Sequence, residues 1–235
     1  MFSRFTRTLY QLDPCELPNK IMNSFSTDCR LCPRLAVFLD TVRSEQPSYF
    51  AKPVPSFGDS GSPLLIVGLA PGKHGANRTG RPFTGDYAGD LLYSTLFKFG
   101  LATAAEPLDA NKQANPALRL KRCRITNAVR CLPPQNKPEP AEIKQCNAFL
   151  AQELSAIPQG AAILALGTIA HEAVLRACGV KVKDFKFGHN VRHPLPNGTT
   201  LYDSYHCSRY NTQTKRLTEV MFHQVFESIF EHHPL

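Results

Sequence analysis

GLAPGKHGANRTGRPFTGDYAGDLLY, residues 68–93, is the stretch of sequence that decides the fold of this chain. It follows an apolar run at residues 64–67, which is typical of a buried strand, and it leads into a segment with helical spacing. A loop at the carboxyl end of a strand is where ligands bind in an open α/β sheet. Its glycines and prolines predict a backbone shaped for close approach by a flat or anionic group, and an irregular surface loop is the alternative.

The composition is that of a globular protein with an excess of positive charge. The 235 residues suffice for one large α/β domain, and 43% of them are hydrophobic. Lys and Arg outnumber Asp and Glu by 27 to 19, which favours a polyanionic partner but is weak evidence alone. No apolar run approaches the roughly 18 residues that span a bilayer, so we expect no membrane association. We predict a cytoplasmic monomer with an N-terminal arm at residues 1–27 and a single domain at residues 28–235.

Apolar spacing along the rest of the chain predicts strands and helices in alternation. The predicted strands are residues 64–67, 123–130, 161–166 and 200–205. The predicted helices are residues 31–42, 91–99, 140–155, 168–177 and a last one that Thr218 caps. Such alternation with short links predicts a parallel sheet with helices on both faces.

Eight cysteines need an explanation in a chain without a secretory signal. Cys29 and Cys32 form a C-x2-C pair, and Cys131 and Cys146 form a C-x14-C pair beside several prolines. Two thiolates on each of two segments are what a four-coordinate soft-metal site requires. The spacing fits zinc and an iron-sulfur cluster equally well, and a redox pair or unconnected thiols are further alternatives. The other cysteines stand alone: Cys15, Cys123, Cys178 and Cys207.

Three loops at strand ends carry the clearest motifs, and in a parallel sheet such loops converge at one edge. They read GLAPGKHGANRTGRPFTGD, ITNAVRCLPPQNKP and SYHCSRYNTQTKRLT. Together these motifs resemble the family 5, or B-type, members of the uracil-DNA glycosylase superfamily, and the similarity extends from about Cys29 to the final helix. The resemblance implies a three-layer sandwich with a central four-stranded parallel sheet. It also implies an enzyme of base excision repair that flips uracil out of DNA and hydrolyses its glycosidic bond.

The resemblance also bears on the cysteines. Relatives in this family hold a 4Fe-4S cluster with four cysteines, and the matching positions here are Cys29, Cys32, Cys131 and Cys146. This favours an iron-sulfur cluster over zinc. The implied role is structural, because the cluster pins the N-terminal segment to the loop after the second strand.

Excision of uracil needs a stacking face for the flipped base and a stabiliser for the anion that leaves. By resemblance, Phe83 stacks on the pyrimidine, and a core phenylalanine is the alternative. His206 matches the histidine that donates to the base carbonyl, and such a donor contributes about 3 kcal/mol. The predicted pocket wall comprises Gly68, Leu69, Ala70, Pro71 and Phe83.

Ala70 marks the position where many members of the superfamily carry a residue that orients water. Family 5 has alanine there, so the water must be held otherwise, and Asn127 is the best candidate. Asp86 is a second candidate, as a stabiliser of the cationic sugar, with the capping of the following helix as its alternative role. The small Ala70 also leads us to expect tolerance of hypoxanthine or xanthine.

The loop after the fourth strand is predicted to contact DNA that contains deaminated bases, which would place the protein at the nucleoid. The predicted DNA-binding residues are Arg78, Ser208, Arg209, Tyr210 and Asn211. Cys207, Tyr210 and Lys215 depart from the usual family pattern. A second hypothesis is a non-catalytic nucleic-acid-binding module stabilised by zinc or a cluster. Ala70 would support that hypothesis, whereas Phe83, Asn127 and His206 favour the enzyme.

Overall fold

A central sheet of five strands organises the computed structural model, which describes residues 24–235. The strands are β1 Leu64–Gly68, β2 Cys123–Asn127, β3 Ala162–Leu166, β4 Arg192–Pro194 and β5 Thr200–Ser204. Their order across the sheet is β2-β1-β3-β5-β4. The first four strands in this order run parallel, and β4 pairs antiparallel with β5 at the edge.

The predicted three-layer α/β sandwich is confirmed, but the strand count of four is wrong by one. Strand β4 lies in the segment before residue 200, where the sequence predicted no strand. It has only three residues and ends in Pro194, so it shows no period-two pattern. Proline is tolerated there because β4 is an edge strand that needs few backbone donors.

Helices cover both faces of the sheet. They are α1 Pro33–Glu45, α2 Ala76–Thr79, α3 Tyr87–Lys98, α4 Pro140–Ala156, α5 Thr168–Ala177, α6 Arg209–Gln213 and α7 Glu219–His232. The side chains of Leu64 and Ile66 pack into the layer of α3 and α7, whereas Leu65 and Val67 pack against α4 and α5. This alternation explains why β1 is apolar throughout, because a parallel sheet is buried on both faces.

The helix ends follow local capping chemistry. The Thr218 side chain accepts a hydrogen bond from the backbone N–H of Met221, which confirms the predicted cap of the last helix. Helix α6 was predicted as loop; it is short and polar, so it has no apolar period. None of the helices in residues 24–235 combines the length and apolar composition that crossing a bilayer requires.

A third apolar cluster lies beside α1. It joins Leu35 and Leu39 to Val129 of the loop after β2 and to Phe149 of α4. Most of the predicted arm, with Cys15, lies outside the described residues. Phe25 lies within the described part and packs edge-on against Phe149, with 5.6 Å between ring centroids.

Candidate active site

A cleft of about 480 Å³ opens at the carboxyl edge of the sheet, where β1, β2 and β5 end. Gly68 of β1 is in register with Asn127 of β2, so the loops that follow both strands start side by side. Of the predicted wall, Leu69, Ala70 and Phe83 line the cleft, and so do residues predicted for catalysis or DNA binding: Asp86, Asn127, His206, Ser208 and Arg209. The sequence did not predict the following ones: Gly72, Ala76, Tyr87, Ala88 and Asn136. The other two predicted wall residues do not line the cleft: Gly68 packs behind Phe83, and Pro71 is buried.

Phe83 forms one side of the cleft. Its ring lies over Gly68, where an added Cβ would come within 2.6 Å of the ring. Its backbone takes a left-handed φ of 53°, and its carbonyl presses so closely on Gly89 that a Cβ there would sit at 1.7 Å. Only glycine fits at these two contacts. The ring is 7% exposed, and its exposed part faces the cleft.

His206 faces Phe83 from the loop after β5. The two rings lie 6.0 Å apart between centroids, with 29° between their planes. Burial lowers the pKa of His206 to about 4, so the imidazole is neutral at pH 7 and carries one N–H donor. Among residues 24–235 the ring has no hydrogen-bond partner, whereas the carbonyl of His206 accepts from Nδ2 of Asn211 at 2.8 Å. The ring donor is therefore free to meet a ligand in the cleft.

Asn127 ends β2 on the wall of the cleft. The side chain is 3% exposed, and its Oδ1 has no hydrogen-bond partner among the described residues. An unpaired buried acceptor costs about 1–3 kcal/mol, so such atoms in native proteins meet a water or a ligand. Oδ1 of Asn127 is thus a binding point for a donor inside the cleft.

The two carboxylate oxygens of Asp86 have different surroundings. Its Oδ1 accepts from the backbone N–H of Gly89 at 3.0 Å, which makes Asp86 the N-cap of α3. Its Oδ2 lies against Gly72 and Gly75, on the wall of the cleft. Burial raises the pKa of the carboxyl above its usual value. The cap occupies one carboxylate oxygen and leaves the other directed at the cleft.

The predicted DNA-binding residues divide into two groups. Arg209 and Tyr210 lie exposed on α6, and 72% of Tyr210 is accessible. The others make contacts inside the protein. Ser208 caps α6 by accepting from the Asn211 N–H at 3.4 Å. Arg78 donates to two backbone carbonyl oxygens at 2.9 and 3.0 Å and so braces two loops, and its contact with phosphate stays a prediction.

The cysteines of the two predicted pairs come together between α1, α4 and the loop after β2. Burial, followed by the charges of Cys146, Cys29 and Cys32, raises the pKa of Cys131. The backbone N–H of Arg130 donates to Sγ of Cys146 at 3.4 Å. Four thiols in one apolar pocket, with Cys131 and Cys146 buried and Cys29 and Cys32 half-buried, form a donor set that needs a cation to hold the thiolate charge.

The distances between these sulfur atoms can be compared with those that a zinc ion and an iron-sulfur cluster require. Tetrahedral zinc holds each sulfur at about 2.3 Å, which places neighbouring sulfurs about 3.8 Å apart. Within residues 24–235, no three cysteine sulfurs all lie within 4.8 Å of one another. A four-iron cluster gives each iron its own thiolate and keeps the sulfurs farther apart. As placed, the four sulfurs do not form the compact group that a single tetrahedral zinc ion requires.

A buried ionic network behind Cys146 was not predicted. Arg130 is 2% exposed and pairs with Glu153 at 3.1 Å, and Arg124 contacts the same carboxylate at 2.5 Å. Burial alone would raise the pKa of Glu153, but hydrogen bonds from Arg124 and Ser56 lower it to about 2. These residues lie far apart in sequence, so no spacing pattern signals the network.

Comparisons with known proteins agree with this architecture. The model of the uracil DNA glycosylase superfamily matches residues 55–230. A type-5 uracil-DNA glycosylase of Thermus thermophilus is 46% identical over 204 residues, which cover 85% of this chain and 91% of that protein. A type-5 uracil-DNA glycosylase of Mycobacterium tuberculosis is 41% identical over 221 residues, or 90% and 79% of the two chains. A type-4 uracil-DNA glycosylase of Pyrobaculum aerophilum is 33% identical over 132 residues, or 56% and 57% of the two chains. The chain belongs to the uracil DNA glycosylase superfamily.

Proposed function

We propose that this protein is a monofunctional DNA glycosylase that hydrolytically excises uracil from DNA and leaves an abasic site for base excision repair. The observation that carries the proposal is the unpaired Oδ1 of Asn127 on the same cleft wall as Phe83 and His206. The type-5 uracil-DNA glycosylases to which the chain is similar support the choice of substrate. The partner is DNA with deaminated bases, and we propose that residues 28–235 act as one domain.

Recognition begins with stacking. A uracil flipped out of the duplex lies against the ring of Phe83, whose left-handed backbone and contact with Gly68 hold the ring in one orientation. Oδ1 of Asn127 then accepts a hydrogen bond from the base edge or from the attacking water. Both contacts use groups that are preorganised by the ends of β1 and β2, so little ordering remains to be done on binding.

His206 acts on the leaving base. As the bond between C1′ and N1 breaks, its electron pair goes to uracil and negative charge develops on the base carbonyl. A neutral imidazole donates its N–H to that oxygen, and the low pKa of His206 keeps the ring neutral at pH 7. A preorganised donor of this kind lowers the barrier by about 3 kcal/mol.

Water completes the reaction on the other face of the sugar. Its oxygen bonds to C1′, and the water loses a proton. That proton neutralises the negative charge of the departing uracil anion. Ala70 offers no group to hold this water, so we assign that task to Asn127. Oδ2 of Asp86 lies on the same wall and stabilises the positive charge that builds on the sugar.

We also propose that the cleft accepts hypoxanthine or xanthine, because the methyl group of Ala70 leaves volume for a larger base. Turnover of an inosine-containing duplex tests this. We expect it to exceed the background of an Asn127→Ala variant, and turnover equal to that background would refute the broader specificity.

The cysteine centre has a structural role in this proposal. Cys29, Cys32, Cys131 and Cys146 would hold a 4Fe-4S cluster, which supplies covalent ties between the segment before α1 and the loop after β2. No step of excision passes through the cluster. The purified protein should be brown and should absorb near 400 nm, as thiolate-ligated iron clusters do.

Release of free uracil from a labelled duplex tests the function. We expect release by the native protein and a loss of about 100-fold in His206→Ala, because one preorganised donor is removed. His232→Ala is the matched control, since His232 is exposed on α7 and contacts only the neighbouring turn. Binding of DNA without any release by the native protein would instead support a non-catalytic binding module.

A further inference from the structure

A buried carboxylate ties together three segments next to the cleft. Asp203 of β5 is fully buried, and its Oδ1 accepts from Nδ1 of His171 on α5 at 2.8 Å. Its Oδ2 accepts from Nε2 of His193 on β4 at 3.1 Å and from the N–H of Gly188 at 3.3 Å. We call this group of Asp203, His171, His193 and Gly188 the Asp203 clasp. Nothing in the chemistry of uracil excision described above uses it.

The hydrogen bonds of His171 argue against a metal at this group. Its Nε2 lies 3.0 Å from the carbonyl oxygen of Phe185, which can only accept. Both ring nitrogens of His171 therefore donate, and neither has a lone pair for a metal ion. Burial alone would lower the pKa of His171, but the hydrogen bond and the charge of Asp203 raise it. The group is a hydrogen-bonded brace between α5, β4 and β5.

The clasp fixes the loop that carries His189. The N–H of Asn190 donates to the Asp203 carbonyl at 2.8 Å, and the N–H of Asp203 donates to the Val191 carbonyl at 3.0 Å. These bonds hold residues 188–193 against β5. His189 is thereby placed on Tyr205, with the two rings stacked 5.0 Å apart at an angle of 14°.

Tyr205 is the first residue after β5, and its backbone N–H donates to Nδ1 of His189 at 3.2 Å. Because Nδ1 accepts this hydrogen bond, the neutral His189 ring carries its proton on Nε2. Burial lowers the pKa of His189, which keeps this lone pair available at neutral pH. His189 thus anchors the backbone at the position just before His206.

The second anchor lies two peptide units further along the chain. The His206 carbonyl accepts from Nδ2 of Asn211, as described above, while its ring has no hydrogen-bond partner among residues 24–235. With no side-chain hydrogen bond to orient it, the ring donor takes its direction from the backbone that carries it and from the stacking against Phe83. We propose that His189 is a positioning residue for His206, acting through the acceptor that it presents to the Tyr205 N–H. The proposal rests on the function proposed above.

Crossed substitutions separate the acceptor of His189 from its ring. His189→Asn keeps an acceptor oxygen near the position of Nδ1 but removes the ring that stacks on Tyr205. His189→Phe keeps a ring and removes the acceptor. His189→Gln places its amide nearer the position of Nε2 and serves as the matched partner of the asparagine variant. His232→Phe, on α7, controls for the loss of an exposed histidine.

Two measurements are made on each variant: kcat and KM for uracil release, and hydrogen exchange of the Tyr205 amide. We expect kcat to fall about tenfold in His189→Phe and His189→Gln, but less than about threefold in His189→Asn, with KM for the duplex unchanged. Exchange of the Tyr205 amide should accelerate about tenfold in His189→Phe and His189→Gln, but not in His189→Asn. In a His206→Ala background, His189→Phe should cause no further loss of kcat.

Each other result overturns the proposal. An asparagine variant as impaired as the phenylalanine variant would show that the ring, not the acceptor, matters. Unchanged exchange of the Tyr205 amide in His189→Phe would show that the bond does not hold this backbone. A further loss in the His206→Ala background would show that His189 acts elsewhere. If the native protein released no uracil, the proposed function would fail, and Tyr205 exchange would still decide whether His189 holds this backbone.

Discussion

Replacement of Gly68 by alanine should disable the cleft while leaving its chemical groups in place. A Cβ at this position would lie 2.5 Å from Oδ1 of Asn127 and 2.6 Å from Cζ of Phe83. Ordinary contact begins at 3.4 Å, so both side chains would have to retreat by about 0.8 to 0.9 Å. The single methyl group therefore displaces the stacking ring and the buried acceptor together.

The magnitude follows from this displacement. A misplacement of about 1 Å costs on the order of 100-fold in rate, and overpacking of a buried site costs about 1–3 kcal/mol of stability. We expect kcat for uracil release under single-turnover conditions to fall about 100-fold in Gly68→Ala, with a lower melting temperature. The fold itself should persist, since β1 keeps all its backbone hydrogen bonds.

Gly72→Ala is the matched control on the same cleft. Its added Cβ would meet nothing closer than Oδ2 of Asp86 at 3.4 Å, an ordinary contact. This variant should retain activity within about fivefold. Equal activity of the two alanine variants would refute the reasoning, because it would mean that the close packing over Gly68 does not set the positions of Phe83 and Asn127.

Three further predictions concern individual groups. Asp86→Asn should keep the cap of α3 and the melting temperature but lower kcat about tenfold. Asp86→Ala should lower both kcat and the melting temperature, which single-turnover kinetics and thermal melting will measure. Cys131→Ser should lose iron and melt at a lower temperature, with Cys178→Ser as an unaffected control in iron analysis. Because burial lowers the pKa of His206 to about 4, the unfolded chain binds its proton first as the pH falls from 6.5 to 4. The free energy of unfolding should therefore decrease by at most about 3 kcal/mol between pH 6.5 and pH 4. Urea titrations should show a smaller decrease for His206→Gln than for the native protein.

The sequence was informative wherever one residue type serves one local purpose. The apolar runs of β1 and β3 are continuous because both faces of a parallel sheet are buried, so their positions could be predicted within a residue. Thr218 was identifiable as a cap because its side chain acts on a backbone group three residues away. The cleft could be located because loops at the ends of parallel strands converge.

Features that depend on distant segments could not be predicted. Asn136 enters the cleft wall because Gln135 and Asn136 both take left-handed backbone conformations, with φ of 56°. No pattern of side chains signals this pair of conformations. The Asp203 clasp likewise joins residues from three elements, and each of its histidines has an unremarkable local context. Tertiary contacts, rather than local preference, decide such positions.

The loop after β2 serves two structures at once. It leaves the sheet at Asn127 in the cleft, reaches the cysteine centre at Cys131 and returns to the cleft at Asn136. An inserted or deleted residue here would displace side chains in both the cleft and the cysteine centre, so this loop is a poor place to engineer new specificity. Helix α6, exposed and capped by its own Ser208, is the better site for redesign, because its exposed side chains can be exchanged without moving the rest of the molecule.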